Sequence, residues 1–283
     1  MNVLTKKELT FKFFDYKWKR LPNWAESSRD LYIEWYLKRY GHTEESFKSF
    51  LRGKPDILDA GCGMGRDSNY FAKLCPNANI LAVDQSPTAI KATLSYLPLN
   101  CKVLMEDIIT MKLRERFDFI SCDQVIHHTP SPNKTLINLM KHLNHDGIIH
   151  FSVCRKKNKY RDFVDDALMK KGRSMTPEEL WKFSKVITKF GKALYDLRVK
   201  DVKFENKKYP NIQKYVHDNL FRCCYVPDMG FKASVSSNYD WFSSNPRFNE
   251  KEVKTQILKG IPKHKVLRIF KDDATISVVL KKL

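Results

Sequence analysis

An α/β fold with a doubly wound, mostly parallel sheet is predicted by three observations on this chain. Short apolar runs alternate with helical patterns from Pro55 to Cys154. The first run feeds a glycine-rich turn, "ILDAGCGMGRDS" (57–68). The second ends in an acid, Asp84, about 20 residues beyond that turn.

Taken in order, residues 1–52 read as an N-terminal helical cap, aromatic-rich and apolar on one face. Phe14, Trp18 and Trp24 are expected as its aromatic core, and "RDLYIEWYLKRY" as an ordinary amphipathic helix. Residues 53–154 form the ligand-binding core. Its strands are "DILDAG" (56–61), "NILAVD" (79–84), "CKVLME" (101–106), "FDFISC" (117–122) and "GIIHFSVC" (147–154), too continuously apolar to leave one face in water. Between them lie helices over 67–74, 87–96 and 132–143, the last two announced by Ser86-Pro87 and Ser131-Pro132 as cap and first turn. Residues 155–248 read as a basic helical insertion or lid, with helical patterns over 155–224, among them a Thr176/Glu179 capping box, and no convincing strand there until the end. Residues 249–283 complete the core with the helix "NEKEVKTQILKG" and an antiparallel C-terminal strand pair, "HKVLRIF" and "ATISVVL".

Composition bounds the classes. With 283 residues and 42% hydrophobic content the chain is long enough for one full α/β domain and an appendage. No apolar run approaches the ~18 residues of a membrane span, and "MNVLTKKELTFKFF" lacks the h-region of a signal peptide, so a cytoplasmic protein is expected. Seven scattered cysteines without a CxxC pair suit reduced, buried thiols, and no metal site is expected. The net charge is +19, and residues 155–214 hold 18 Lys and Arg against 8 Asp and Glu. Such a balance suits an acidic partner, RNA or an anionic substrate, or merely a lysine-rich genome.

Two nucleotide ligands compete for the strand, glycine turn and distal acid. A carboxylate at Asp84 accepts the ribose hydroxyls of either, so it does not choose between them. The turn does. Its spacing is Gly61-x-Gly63-x-Gly65 instead of GxGxxG, and Asp59 at the strand's end would repel a diphosphate in a poorly screened site. That acid favours a ligand carrying an ammonium and a sulfonium, with Gly61 and Gly63 letting the backbone approach it closely.

"LDAGCGMGR", "LAVDQS", the pair Glu106-Asp107 and the stretch "FDFISCDQVIHHTPSPNKTLINLMKHLNHDGIIHFSV" together resemble the motifs of class I S-adenosylmethionine-dependent methyltransferases, in particular the type-11-like, small-molecule group. The resemblance covers roughly 53–154 and the tail after 249, and implies a Rossmann-like sheet with S-adenosyl-L-methionine as cofactor. It further implies that Asp59, Gly61, Cys62 and Gly63 line the methionyl part, that Asp84 binds the ribose, and that Gln85 lies beside the adenine. Asp107 would accept from the adenine amino group, flanked by Ile108, and Asp123 and Gln124 would close the site.

His127 and His128 follow the fourth strand, where an imidazole could take a proton from the acceptor or could pack under the "TPSP" turn and bond only the backbone. Tyr239 and Asp240, in "SSNYDWFSSNPRF" (236–248), could reach the acceptor from a lid or could seal the insertion. The expected function is methyl transfer to oxygen or carbon of a small acceptor such as a sugar, nucleotide sugar or secondary metabolite, with the insertion's charge leaving room for an anionic one. The alternatives are an RNA methyltransferase that uses the basic insertion and, behind it, a non-catalytic cofactor-binding subunit. Neither the acceptor nor the oligomeric state is legible.

Overall fold

The computed structural model describes residues 5–21, 29–95, 97–244 and 246–283. Trp24 and Tyr96 lie outside the described residues. The chain divides into two compact units, Met1–Arg155 with Pro246–Leu283, and Lys156–Asn245.

The first unit is built on a seven-stranded sheet. Strands β1 (Asp56–Ala60), β2 (Asn79–Asp84), β3 (Cys101–Met105), β4 (Phe117–Cys122) and β5 (Leu143–Cys154) run parallel. β9 (Thr275–Lys282) pairs antiparallel with β5 and β8 (His264–Lys271) antiparallel with β9, which gives the order β3-β2-β1-β4-β5-β9-β8. The order reverses between β1 and β4, and such a reversal opens a crevice at the strands' C-terminal ends.

Pleating sends successive residues to opposite faces. Leu58, Ile120, Ile149 and Val278 join Leu136, Leu139, Val253 and Ile257 in one core, whereas Ile57, Phe119, Ile80 and Val279 join Tyr36, Leu37, Phe47 and Phe71 in the other. The second core is covered by helices α2 (Arg29–Tyr40) and α3 (Glu44–Arg52), which follow α1 (Lys6–Arg20). On the way from β1 to β5 come α4 (Arg66–Leu74), α5 (Pro87–Leu94), a 3-10 turn (Ile126–His128) and α6 (Pro132–Lys141). One strand expected to be buried on both faces is only partly so: β3 is an edge of the sheet, and its Met105 stands 56% exposed.

α2 is more than the ordinary amphipathic helix its sequence suggests. Its Tyr40 hydroxyl donates to Asp123 Oδ1 at 2.8 Å, and its Arg39 bonds Asp123 Oδ2 at 3.2 Å and Asp272 Oδ2 at 3.0 Å. Tyr36, one turn earlier, shares its hydroxyl with Ser121 and with His150 Nδ1. Three segments distant in sequence are thereby fixed to one helix.

The second unit contains α7 (Lys159–Arg173), α8 (Pro177–Asp196), α9 (Ile212–Asn219) and α10 (Gly230–Ser244). It also contains what the sequence reading excluded, a hairpin of β6 (Lys200–Phe204) and β7 (Lys207–Asn211). Lysines at four of its ten positions hid the strand pattern, because they let β6 and β7 stand mostly in water. Inside the unit Asp165 accepts from Arg161 Nε, Trp241 Nε1 and the Arg222 backbone N–H. A Cβ at Gly172 would stand 2.4 Å from the Phe242 carbonyl oxygen, so α7 and α10 touch backbone to side-chain-free backbone. All seven cysteines are free.

His150 sits fully buried with its ring stacked 4.3 Å from Tyr40, and burial holds its pKa well below the ordinary value. The unfolded chain therefore takes up a proton near pH 6.5 that the folded chain refuses, and stability present above that pH is lost as pH falls below it. We expect the urea midpoint to drop between pH 7 and pH 5, with His150→Gln flattening the slope by up to about 1.4 kcal/mol per pH unit; equal slopes for the two proteins would contradict it.

Candidate functional site

The crevice begins where β1 ends. Gly61, Gly63 and Gly65 take φ of 84°, 53° and 72°, a left-handed run that side chains disfavour. Gly61 N–H and Cys62 N–H both donate to Val83 O, at 2.7 and 2.9 Å, pinning the turn to β2. A Cβ at Gly61 would stand 2.3 Å from Val125 Cγ1, and one at Gly63 would stand 2.9 Å from Trp18 Cζ2. The absence of side chains is thus required by packing as well as by conformation.

Three acids converge at the strand ends. Asp59 on β1 is buried and accepts from Ser68 Oγ at 2.5 Å. Burial, with Asp67 adding repulsion, pushes its carboxyl up to about 7. Asp67 itself is held by Arg66 in a two-point pair, at 2.7 and 2.9 Å. Asp84, at the end of β2, accepts from Gly63 N–H at 2.9 Å and from Ser86 N–H at 2.8 Å. Its carboxyl is raised by burial, against which these amide donors and the Lys17 ammonium pull it back. Asp107, after β3, accepts from Ile109 N–H at 3.0 Å and pairs with Lys7 Nζ at 2.6 Å. Ile108 is buried beside it. A cavity of about 410 Å³ opens between Gln85, Met105 and Asp107 on one side and Lys7, Phe11 and Lys12 on the other.

The structure therefore brings Asp59, Gly61, Cys62, Gly63, Asp84, Gln85, Asp107 and Ile108 to one edge of the sheet. It adds a part the sequence reading missed. Helix α1 reaches along that edge through Lys7 on Asp107, Asp15 on Ser86 Oγ at 3.0 Å, Lys17 toward Asp84, Trp18 on Gly63 and Phe14 edge-on to His128 at 4.6 Å. The signal lies in the alternation of lysines and aromatics in "KKELTFKFFDYKWKR", which a helical cap with an aromatic core also produces.

Other expected residues do different work. Both carboxylate oxygens of Asp123 are engaged, by Tyr40, Ser152 and Arg39, so it is an anchor between α2, β4 and β5. Gln124 turns at φ 56° with its N–H on Ser152 Oγ at 2.8 Å. His127 is buried with Nδ1 3.4 Å from the Ser152 carbonyl and Nε2 3.3 Å from Cys154 Sγ. A carbonyl only accepts, so Nδ1 carries the proton and Nε2 faces the thiol. Burial pulls this imidazole down to about 4, and with both ring nitrogens engaged it takes the packed role that the sequence left open beside that of a base. His128 is half-buried, its ring 4.2 Å from that of His127. Tyr239 and Asp240 belong to the other compact unit, inside helix α10 and not on a returning loop. Tyr239 is 1% exposed and packs edge-on against Trp181 at 5.4 Å.

Among the described residues no group of three or more His, Cys, Asp or Glu is arranged to hold a metal, and no helix is long and apolar enough to cross a membrane.

Comparison with known proteins adds the family. Over 98 residues the chain is 36% identical to the malonyl-[acyl-carrier protein] O-methyltransferase of Bacillus cereus, covering 34% of this chain and 36% of that protein. Over 113 residues it is 32% identical to the ubiquinone biosynthesis O-methyltransferase of Coxiella burnetii, covering 38% and 47%. The chain spans between about a quarter and a half of the length of the curated relatives it matches. Among solved structures it is similar to the plantazolicin methyltransferase BpumL in complex with a pentazolic desmethylPZN analog and SAH, with a TM-score of 0.51, 15% identity and 98% of each chain covered; this likeness concerns the fold. The model of the family described as "Methyltransferase domain" matches residues 52–217, more than half of the sequence, and the chain belongs to that family.

Proposed function

We propose that this chain is an S-adenosylmethionine-dependent methyltransferase acting on a small molecule. The observation that carries the reading is the Asp84 carboxylate, held by the N–H groups of Gly63 and Ser86 at the lip of a side-chain-free turn. A carboxylate fixed in this way keeps acceptor capacity for a pair of ribose hydroxyls without having to reorganise. The same cleft fits the rest of the cofactor: Asp59 provides a buried acid for its cationic end, and the cavity beside Gln85 and Asp107 takes a flat base.

When bound, the cofactor supplies a methyl group on a sulfonium, an electrophile that reacts in line with a nucleophile. What the protein must add is alignment and exclusion of water. Phe14 and Trp18 from α1 and Val125 after β4 furnish the apolar walls. The acceptor we favour is methylated on oxygen or carbon, a reading supported by the O-methyltransferases that share its core segment. An alcohol or phenol needs a base, and His128 replaces His127 as the candidate because its ring is only half-buried.

Calorimetric titration with S-adenosylhomocysteine tests the carrying observation. Asp84→Ala should weaken binding roughly ten- to a hundredfold, the scale of lost hydrogen bonds to a charged group. Unchanged affinity would sink the ribose role. A second outcome follows from Trp18 resting on Gly63: ligand binding should move that indole and shift the tryptophan emission, and Trp18→Phe should abolish the shift while still binding ligand. An emission spectrum of the native protein that ignores saturating ligand would show that α1 and the ligand do not share this floor.

A further inference from the structure

We infer that the helical unit carries a docking surface for an anionic phospholipid bilayer. Of the sixteen large apolar side chains exposed among the described residues, ten belong to this unit, although it is less than a third of the chain. Chance exposure would spread them more evenly. Val186, Phe190 and Leu197 follow one another along a single face of α8 and its end, with Val186 62% and Leu197 64% exposed. The Phe190 ring lies 5.5 Å from that of Phe221, beside exposed Leu220. Val199, whose carbonyl accepts from Ile212 N–H at 3.0 Å, leads on to the hairpin, where Phe204 is exposed with its ring 5.3 Å from Tyr215. The apolar tips thus run from α8 through Leu220 to the hairpin.

Lysines border them. Lys185 and Lys189 flank the α8 stripe, and Lys200, Lys203 and Lys207 project from the hairpin; none of the five pairs with an acid among the described residues. Apolar tips rimmed by unpaired lysines match a bilayer surface, in which the tips enter the acyl boundary while the ammonium groups stay at the headgroups. RNA fits less well. Four of the apolar tips, Val186, Leu197, Val199 and Leu220, are aliphatic and give a base nothing to stack on, and the two exposed phenylalanines, Phe190 and Phe204, already lie against Phe221 and Tyr215. A second copy of this chain, docked through the same face, would bring the five unpaired lysines of one copy against those of the other, while the exposed Asp196 and Asp201 are already taken by Lys192 and Lys208. With no membrane-crossing helix among the described residues, the association would be peripheral.

The test is sedimentation of the full chain with sucrose-loaded vesicles of phosphatidylcholine, alone or containing phosphatidylglycerol, at low and high salt. We expect binding to the anionic vesicles, weakened at least about tenfold without the anionic lipid and falling with salt. The variant Val186→Asp/Leu197→Asp alters only exposed side chains and should lose vesicle binding while keeping the native circular dichroism and S-adenosylhomocysteine affinity. Lys185→Gln/Lys189→Gln should lose most of the salt-sensitive part. The proposal falls if anionic vesicles leave the chain in the supernatant, or if the Asp variant sediments like the native protein. It falls equally if the native chain ignores vesicles and instead binds an RNA oligonucleotide, or forms a dimer that the Asp variant dissolves.

Discussion

A buried carboxylate at the end of β4 organises the first unit. Asp123 has a side chain only 1% exposed, so its charge is sustainable only if every direction is answered. Tyr40, Arg39 and Ser152 answer it, from α2 and β5. Removing one partner from such a buried pair typically costs ~3–5 kcal/mol, because the remaining charge stays behind unpaired. Arg39 passes the constraint onward to Asp272, whose other oxygen receives the N–H groups of Ala274 and Thr275 at the turn between β8 and β9. One ionic chain thereby ties the N-terminal helices, the central strands and the C-terminal hairpin.

The loop after β4 inherits its geometry from this anchor. Gln124 enters the left-handed region because its N–H is claimed by the same Ser152 hydroxyl that donates to Asp123. The reversal sets Val125 over Gly61 and turns His127 inward onto Cys154. A histidine pair that looks catalytic in the sequence is therefore split by position. The inner ring finishes the core, and the outer one faces Phe14.

Much of this was legible in the residues themselves. Strand β1, the glycine turn and Asp84 follow from local rules, a continuously apolar run, glycines at alternate positions and the spacing to the next acid, and all three stand where the pattern put them. The long-range pairings were not legible. Arg39 and Asp272 are 233 residues apart, and nothing in "RDLYIEWYLKRY" distinguishes an arginine that will be buried from one that will be solvated. The hairpin β6–β7 escaped for the opposite reason, since strands that cover little beyond Val202 and Tyr209 leave too little alternation to detect. The neutrality of His127 is likewise a product of burial, which a sequence reports only through its neighbours in space.

Charge explains why α1 lies along the cleft. The ends of β1, β2 and β3 gather Asp59, Asp84 and Asp107 at one edge, and burial makes the first two reluctant to ionise. Lys7 and Lys17, one at each end of α1, supply compensating charge, and the aromatic rings between and beside them shield it from water. Lys17 Nζ stands 4.1 Å over the Trp18 ring and 5.2 Å over the Phe14 ring, so the same residues that neutralise the acids also cover them. A cationic ligand of the proposed kind would bring its own positive charge to Asp59 and relieve the helix of part of that task. Ligand binding and the seating of α1 are then coupled through a shared set of carboxylates, and any gain in one contact is felt electrostatically by the other.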